Sequence, residues 1–306
     1  MIICGSDDSG AINYFKSLIK LSDLKMKILS SFEEINSLKA SLILTGASLG
    51  YSFDKKLIEF AKEKKIYCIS VIENWTWYLK RFQIYNGFLF PDCIFVNDQI
   101  AKLGAIDDGV PSHLLRVMGN PVIENLFLEK TKGLYNSKQK KIKKIKKIYF
   151  ISEELKSDFK NSNFDLLGFD EYEVLSKIIE CMNIDEKLII KLHPSENKNK
   201  YAHLVSKYDI IQSCPISKII RDADIIIGMQ SMLLIELAVF RNNIISFRPN
   251  AKTEFIGKKL GATISVKNKL EFRNAITKNK KTSTEFYRDY CGSSKAIETF
   301  LKGIIK

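Results

Sequence analysis

The feature that most constrains the fold is an alternation, along the whole chain, of short β-rich runs with longer amphipathic stretches. Residues 54–65 are typical of the amphipathic kind, because Leu57, Ile58 and Ala61 form an apolar stripe with helical spacing. Strands separated by helices are joined by crossover connections. The alternation therefore predicts an α/β protein with parallel sheets and helices on both sheet faces.

The alternation occurs twice, and the β-rich runs fall into two sets: 2–4, 26–30, 41–45, 66–72, 93–96 and 115–118, then 148–151, 188–192, 209–212, 224–227, 243–247 and 263–266. A length of 306 residues also exceeds the usual size of one domain. We predict two doubly wound, Rossmann-like domains whose parallel sheets face across a cleft. They span residues 1–125 and 148–306, with a basic linker at 126–147. The helical pattern at 294–305 either closes the second domain or crosses back onto the first.

The cysteines and the hydropathy pattern indicate the compartment. The six cysteines are spread singly and form no Cys-x-x-Cys pair, which argues against zinc and against disulfides. No run approaches the roughly 18 apolar residues that span a bilayer, and no basic segment followed by an apolar one marks a leader. We expect a soluble, cytoplasmic protein that needs no metal or other cofactor.

The charge is strongly basic, with 48 basic and 35 acidic residues and a net charge of +13. Much of the excess lies in a lysine-rich run that begins at Lys138 and ends at Lys147. Such runs are usually solvated linkers, and attraction of the protein to an anionic membrane surface is the alternative. The run has no interleaved aromatics and the chain has no nucleic-acid-binding signature, so nucleic acid is not an expected partner.

In parallel sheets, ligands bind beyond the carboxyl ends of the strands. In the second half, His193 follows the run 188–192, and Pro194 ends the strand there. The imidazole of His193 is suited to donate a hydrogen bond to a phosphate oxygen. A His-Pro pair taken alone is equally typical of an exposed loop. Ser152, after the run 148–151, is a weaker candidate at the same edge.

A second candidate for anion binding follows the run 224–227. Gly228 permits a tight turn and Ser231 is placed to cap the next helix, so the backbone amides around Gln230 and Met232 form a potential phosphate site. Glu236 then lies within the apolar run 232–240. A carboxylate there needs a partner, either the ribose hydroxyls of a bound nucleotide or an internal salt bridge to Arg241 or Arg248.

These motifs together resemble the GT-B-fold nucleotide-sugar enzymes. Their first domains often close on a segment like Gly119-Asn120-Pro121. The pair His193-Pro194 is similar to that of bacterial sialyltransferases, capsule Kdo transferases and polyol-phosphate transferases, in which the histidine contacts the phosphate of a cytidine nucleotide. The helix with Ser231 and Glu236 is similar to the donor-nucleotide helix of the fold, which also occurs in UDP-N-acetylglucosamine 2-epimerases. The resemblance implies a donor site in the second domain, an acceptor site and catalytic base in the first, and no metal.

The loop after the first strand is one of three candidates for the base and the acceptor site. It contains Asp7 and Asp8, flanked by residues that permit turns or offer hydrogen bonds, namely Gly5, Ser9 and Gly10. It lacks the Gly-x-Gly-x-x-Gly spacing of a dinucleotide fingerprint. The two carboxylates fit a base or a hydroxyl-binding site, and they equally fit helix caps.

Two further loops in the first half compete for the same role. Thr45, Gly46 and Ser48 offer hydroxyls and backbone donors for a sugar or phosphate, or simply form a turn. The loop after the run 66–72 begins with Glu73 and includes residues suited to contact a sugar, namely Trp75 and Arg81. The rings of Trp75, Tyr78 and Phe82 also suit the core anchors of a helix. We expect Glu73 or Asp7 to be the base, with Asp8 beside them.

Two acidic strings are not assigned to the site. Asp107-Asp108-Gly109 suits a surface turn, and Asp222 with Asp224 lies at a strand entrance and not at a strand end.

The sequence predicts a glycosyltransferase that moves a sugar from a nucleotide-sugar donor, for which a CMP-activated sugar is one option, to a surface-glycan precursor of capsule or lipopolysaccharide type. The alternatives are a nucleotide-sugar 2-epimerase or hydrolase, a polyol-phosphate transferase, and a non-catalytic nucleotide-sugar-binding protein. In the transferase, a first-domain carboxylate deprotonates the acceptor while His193 and the helix at Ser231 stabilise the departing phosphate.

Overall fold

The structure is a computed structural model that describes residues 1–135, 145–155, 167–278, 281–282 and 285–305. The chain divides into two compact units. The first unit comprises Met1–Leu126 together with Tyr287–Lys306, and the second comprises Phe127–Phe286. Each unit contains one six-stranded sheet in which all neighbouring strands run parallel. The predicted fold class, two doubly wound Rossmann-like units with parallel sheets, is confirmed.

The first unit has the strand order β2-β1-β3-β4-β7-β8. Its strands are β1 (Ile2–Gly5), β2 (Met26–Ile28), β3 (Leu42–Thr45), β4 (Cys68–Ile72), β7 (Cys93–Val96) and β8 (Leu115–Val117), and a separate antiparallel hairpin comprises β5 (Gln83–Ile84) and β6 (Gly87–Phe88). Its helices are α1 (Ser9–Leu21), α2 (Phe53–Lys64), α3 (Gln99–Asp107) and α4 (Pro121–Thr131), which continues into the second unit. The predicted sheet strands of this half are confirmed within two residues at each end, and the hairpin was not predicted.

The second unit has the strand order β11-β10-β9-β12-β13-β14. Its strands are β9 (Lys146–Ile151), β10 (Glu186–Lys191), β11 (Asp209–Ile211), β12 (Ile225–Gly228), β13 (Ile244–Phe247) and β14 (Ile264–Val266). Its helices are α5 (Glu171–Ile179), α6 (Ile216–Asp222), α7 (Met232–Ala238), α8 (Ile256–Lys259) and α9 (Lys269–Thr277). The predicted strands of the second half are also confirmed within two residues.

The lysine-rich run is only partly described. Residues 138–144 lie outside the described residues. Lys146 and Lys147 belong to β9, where Lys146 pairs with Glu186 at 3.7 Å and Lys147 pairs with Asp222 at 2.7 Å. These two lysines therefore lie in a strand and form ion pairs with Glu186 of β10 and Asp222 of α6.

The last helix, α10 (Ser293–Ile305), belongs to the first unit. The range 148–306 placed it in the second domain, and that assignment is wrong for this segment. Ile297 and Leu301, one turn apart, are fully buried in the same core as Phe15 and Leu42. The sequence shows the apolar stripe of this helix but not which sheet face the stripe covers.

The two strand orders place a crevice at a different point in each sheet. In the first unit the order in which successive strands are added to the sheet reverses between β1 and β3, and in the second unit it reverses between β9 and β12. Connections leave to opposite faces at such a point, which opens a crevice outside the carboxyl ends of the strands. None of the described helices is both long and apolar enough to cross a bilayer.

Candidate functional site

His193 lies at the carboxyl edge of the second sheet, directly after β10, and it is exposed. Its Nδ1 lies 2.7 Å from Ser195 Oγ and accepts a hydrogen bond from the Ser195 backbone amide at 3.3 Å. In the tautomer that fits this amide contact, the neutral ring carries its proton on Nε2. That tautomer offers an N–H donor of the kind that a phosphate contact requires.

A buried charged network fixes the loop that carries His193. The His193 amide donates to Glu196 Oε2, while Glu196 Oε1 accepts from Ser152 Oγ at 2.7 Å and from the Lys200 ammonium. Lys200 also donates to Glu171 Oε1 at 2.6 Å. Ser152, predicted as a phosphate ligand, is therefore engaged within this network. Glu196 and Lys200 were not predicted, although a glutamate three residues after a strand-ending histidine is a signal for such a contact.

A second unpredicted carboxylate lies at the crevice between β9 and β12. Glu153 accepts hydrogen bonds from the backbone amides of Gln230 at 2.8 Å and Met229 at 3.3 Å. Burial raises the pKa of Glu153 to about 7, and these amides and Arg248 oppose the rise. The Gln230 amide, which we expected to be free for an anion, is thus occupied by the chain's own carboxylate. Glu153 directly follows Ser152, which the sequence did single out.

The turn before α7 otherwise has the predicted geometry. Ser231 is the N-cap of α7 and accepts a hydrogen bond from the Leu233 amide at 3.2 Å. A Cβ on Gly228 would lie 3.3 Å from the Ile151 carbonyl oxygen and 3.0 Å from Leu234 Cδ2. Glycine at 228 therefore allows the turn to approach β9 closely. The predicted turn and cap are both present.

Glu236, on α7, is half-buried, and within the described residues its carboxylate has no hydrogen bond. Burial raises its pKa to about 7, and the charge of Lys191 opposes the rise. The expected alternative of a salt bridge to an arginine is not found: Arg241 donates to the Ile220 carbonyl at 2.9 Å and Arg248 to Thr253 Oγ1 at 3.1 Å. Glu236 therefore keeps the capacity to accept from ligand hydroxyls.

In the first unit, Glu73 directly follows β4 and is only 7% exposed. Burial raises its pKa to about 7, the charge of Asp8 adds to the rise, and Arg81 opposes it. Oε1 accepts from Asn74 Nδ2 at 3.2 Å, whereas Oε2 is buried and has no partner in the described structure. A Cβ on Gly10 would lie 2.8 Å from Oε1, so the close approach of α1 requires glycine there.

The two aspartates of the first loop act as helix caps. Asp8 caps α1 by accepting from the Gly10 amide at 2.7 Å. Asp7 is exposed, and its Oδ2 accepts from the Phe53 amide at the start of α2 at 2.7 Å. The capping alternative thus describes both residues, and Ser9 is the exposed first residue of α1. Gly5 ends β1 in the core of the unit.

The loop with Thr45, Gly46 and Ser48 packs around the buried carboxylate of Asp54, which was not predicted. Asp54 Oδ1 accepts from Ser6 Oγ at 2.6 Å and from Thr45 Oγ1 at 3.4 Å. A Cβ on Gly46 would lie 2.2 Å from Ser6 Oγ, so this contact needs glycine. Ser48 Oγ is buried and has no partner among the described residues. The sequence feature that could have identified Asp54 is its position just before the apolar stripe of α2.

The predicted aromatic helix after β4 is absent. Trp75, Tyr78 and Phe82 are buried and do act as core anchors. However, the segment is irregular and contains only a 3₁₀ turn at Lys80–Phe82. Trp77 has a φ of +60°, a left-handed conformation that an α-helix does not accommodate. The prediction of a helix is therefore wrong, and that of core packing is correct.

Trp75 and Arg81, both proposed as sugar contacts, have internal partners. Trp75 Nε1 donates to Asp98 Oδ2 at 2.8 Å. Arg81 is buried, and it donates to the carbonyl oxygens of Ala47 at 2.8 Å and Thr76 at 3.1 Å. Arg81 thus ties the loop after β3 to the loop after β4.

The two acidic strings that we set aside lie where the sequence predicts. Asp107 ends α3, and Gly109 has a φ of +100° in the exposed turn that follows. Asp222 binds Lys147 and accepts from Tyr149 Oη at 2.9 Å, at the entrance of β12 and away from the strand ends.

Two asparagines complete the carboxyl edge of the first sheet. Asn97 follows β7, and its Oδ1 accepts from Asn120 Nδ2 at 3.2 Å. Asn120 Nδ2 also lies 3.5 Å from the Glu73 carbonyl oxygen. Asn120 belongs to the Gly-Asn-Pro segment that the sequence singled out, but Asn97 was missed. Its signal was a polar residue directly after a buried strand.

No family model matches the chain, and no curated protein matches it. Solved structures do. The UDP-GlcNAc 2-epimerase of Methanocaldococcus jannaschii, in complex with UDP-GlcNAc and UDP, is similar with a TM-score of 0.62 at 16% identity over 99% of this chain and 98% of that chain. The enzyme of Rickettsia bellii gives a TM-score of 0.64 at 14% identity over 99% and 96%. The wall teichoic acid polymerase TagF, soaked with CDPG, gives 0.55 at 10% identity over 100% and 89%.

These similarities identify the fold. The chain has the GT-B-like architecture of two Rossmann-like units, as the 2-epimerases and the polymerase do. The predicted resemblance to both kinds of protein is confirmed. Because the identities are low, the comparisons establish the fold and leave the reaction to be argued from the site.

Proposed function

We propose that this protein is a metal-independent glycosyltransferase of GT-B type in which Glu73 is the general base. The observation that carries the proposal is the state of Glu73: a nearly buried carboxyl at a strand end, with a pKa of about 7. A base is most effective when its pKa lies near the working pH. Asp7 and Asp8 are weaker candidates because both cap helices.

The proposal assigns the donor nucleotide to the second unit. His193 presents an N–H for a phosphate oxygen, and Glu236 has an unused carboxylate for ribose hydroxyls. Ser231, with Gly228, Gln230 and Met232 around it, shapes the turn beside the phosphate. Structural relatives are described as complexes with UDP-GlcNAc and UDP, and with CDPG, which supports a nucleotide-sugar or related donor.

In the proposed reaction, Glu73 takes the proton of an acceptor hydroxyl, and the resulting oxygen attacks the anomeric carbon of the donor sugar. The bond from that carbon to the phosphate oxygen breaks, and the nucleotide departs with the electron pair. His193 then stabilises the charge on the departing phosphate. One base and one phosphate contact are sufficient for this step.

The proposed donor is a CMP-activated sugar, and the proposed acceptor is a precursor of a surface glycan such as capsule or lipopolysaccharide. The net charge of +13 and the lysine-rich run favour work at the cytoplasmic face of an anionic membrane, where a lipid-linked acceptor would be met. Transfer of a polyol phosphate would use the same base and phosphate contact, but the acceptor oxygen would attack phosphorus, break the P–O bond of the diphosphate and release the nucleoside monophosphate.

A 2-epimerase or hydrolase is the second candidate. It is favoured by the position of Asp8, whose charge adds to the raised pKa of Glu73, because two neighbouring carboxyls can divide the acid and base roles between them. It is also supported by the 2-epimerases among the structural relatives. Elimination and readdition at the anomeric centre would need no acceptor.

Nucleotide binding is tested first, by thermal shift with CMP, CDP, UDP and GDP. A ligand that binds only the folded chain raises its melting temperature. We expect a rise with one of these nucleotides, which His193→Ala and Glu236→Ala reduce. The absence of any shift would contradict the whole nucleotide-sugar proposal.

Turnover is then measured as nucleotide released from the matching donor, with and without acceptor. We expect Glu73→Gln to lower kcat by about 10²- to 10⁴-fold, the usual contribution of a general base. Asp7→Asn, which keeps an oxygen for the Phe53 amide, is the matched control and should retain activity. Full activity of Glu73→Gln would exclude Glu73 as the base. Conversion of the donor sugar in the absence of acceptor would identify the protein as an epimerase or hydrolase.

A further inference from the structure

Among the buried polar atoms of the first unit that have no hydrogen-bond partner in the described structure are Tyr14 Oη, Glu73 Oε2 and Asn97 Nδ2. Tyr14 is 2% exposed, Asn97 2% and Glu73 7%. Buried polar groups without a partner are rare in folded proteins, and they usually mark an ordered water or a ligand.

Strand register makes two of the three residues, Glu73 and Asn97, neighbours along the carboxyl edge of the sheet. Ile72 of β4 pairs with Val96 of β7, so Glu73 and Asn97 follow at the ends of neighbouring strands. Side chains alternate between the faces of a sheet. Val71 and Phe95, two residues before Glu73 and Asn97 respectively, both belong to the core on the α1 side. Glu73 and Asn97 therefore leave the sheet edge on that same side.

Helix α1 carries Tyr14 and packs on the same side of the sheet. Gly10, in its first turn, approaches Glu73 Oε1 so closely that a Cβ there would lie at 2.8 Å. Tyr14 is four residues further, on the same helix face, and it belongs to the core that contains Val71 and Phe95. Burial raises the pKa of Tyr14, and the charges of Glu73 and Glu124 add to the rise.

We propose that a buried water molecule occupies this position, and that Tyr14 and Asn97 are positioning residues that hold Glu73 through it. The water would accept hydrogen bonds from Tyr14 Oη–H and Asn97 Nδ2–H, and would donate one to Glu73 Oε2. This arrangement satisfies all three unpartnered atoms with donors and acceptors of the correct kind. It also matches the usual number of hydrogen bonds, about three, of an internal water.

The water has a consequence for the base, and this step rests on the proposed function. With the buried Oε2 engaged by the water, Oε1, which accepts from Asn74 Nδ2 at 3.2 Å, is the atom left to take the proton of the acceptor. The hydrogen bond through the water stabilises the carboxylate form and so lowers the pKa of Glu73 relative to a dry site. The other charges that act on this group are Asp8 and Arg81, with Glu124 acting on Tyr14, and none of them is altered in the test.

The test compares the wild-type protein with Tyr14→Phe and measures the pKa of Glu73 by NMR of ¹³C-carboxyl-labelled glutamate, with Glu73→Gln to assign the resonance. Loss of the tyrosine hydroxyl removes a donor to the water, so we expect the pKa of Glu73 to rise by about one pH unit. The melting temperature at pH 8 should fall. Ser70→Ala is the matched control, because Ser70 Oγ is also buried and unpartnered but lies on β4 facing the opposite side from Val71.

A dry site gives the opposite result. Removing an unpartnered buried hydroxyl then stabilises the protein, so Tyr14→Phe would raise the melting temperature and leave the pKa of Glu73 unchanged. That outcome overturns the proposal. Neither measurement uses turnover, so a failure of the proposed glycosyl transfer would leave the result on the buried water intact, and the reverse also holds.

Discussion

At the scale of single residues, Lys200 holds together the loop that carries His193. Its ammonium lies between the carboxylates of Glu171 and Glu196, and all three side chains are almost fully buried. Glu196 in turn accepts from the His193 amide. The position of His193 at the strand end therefore depends on a cation that no local pattern in the sequence identifies.

Replacement of Lys200 should be strongly destabilising. Lys200→Met leaves two carboxylates buried without their cation, and we expect the free energy of unfolding to fall by about 3 kcal/mol or more. The exposed neighbour offers the control, since Lys198→Met should change stability by less than about 0.5 kcal/mol. Urea denaturation of the two variants measures the difference, and equal stabilities would contradict a structural role for the network.

Glu73 and Glu153 are both glutamates that follow the end of a strand, but they have different partners. Burial raises the pKa of each to about 7. Glu153 accepts hydrogen bonds from the backbone amides of Met229 and Gln230, whereas Glu73 accepts one from the side chain of Asn74. The partner groups, and not the shifted pKa alone, make Glu73 the better candidate for the base.

At the scale of elements, the turn between β8 and α4 contacts the start of α10. Gly119 has a φ of +80°, and a Cβ there would lie 1.9 Å from Ser293 Oγ. Glu124 on α4 accepts from the amides of Gly292 at 2.7 Å and Ser294 at 2.8 Å. A carboxylate at the first amides of a helix satisfies groups that the helix itself cannot bond.

We expect Gly119→Ala to destabilise the first unit by about 1–3 kcal/mol, because it combines backbone strain with a clash against the start of α10. Gly303, in the exposed last turn of α10, has nothing within 4 Å of an added Cβ. Gly303→Ala should instead be neutral or stabilise by up to about 1 kcal/mol. Thermal unfolding of both variants checks the contrast, and a neutral Gly119→Ala would show that the turn relaxes.

At the scale of the whole molecule, three buried or half-buried carboxyls make stability depend on pH. The pKa values of Glu73, Glu153 and Glu236 are each raised to about 7. An acid with a higher pKa in the folded chain binds more protons there than in the unfolded chain. The contribution of these groups to the free energy of unfolding therefore falls as pH rises from about 4.5 to about 7.

The variant Glu153→Gln isolates this effect and keeps an oxygen for the amides of Met229 and Gln230. Relative to wild type it should be more stable at pH 8, by on the order of 1 kcal/mol, and little changed at pH 5. Exposed Glu63→Gln serves as the control and should show no such dependence. Denaturant unfolding at both pH values gives the comparison. A larger gain at pH 5 than at pH 8 would reverse the sign and contradict the assignment.

Local patterns predicted the elements correctly where a local cause forms them. Strand β4 is a buried, largely β-branched run, and β10 has an apolar centre at residues 188–190; the ends of both were predicted within two residues. The caps of α1 by Asp8 and of α7 by Ser231 bond amides only two residues away. The aromatic segment after β4 was mispredicted as a helix because the positive φ of Trp77 has no sequence signature comparable to a glycine.

The sequence by itself determined the parallel α/β architecture and the strand ends that carry Glu73 and His193, because hydrophobic period and capping act over a few residues. Only the tertiary structure decided that α10 covers the first sheet and that Glu153 occupies the amides before α7. It also decided that Gly10 of α1 lies against the carboxylate of Glu73. Glu153 and the Met229 amide are 76 residues apart, and such pairings depend on how faces pack and not on any local period.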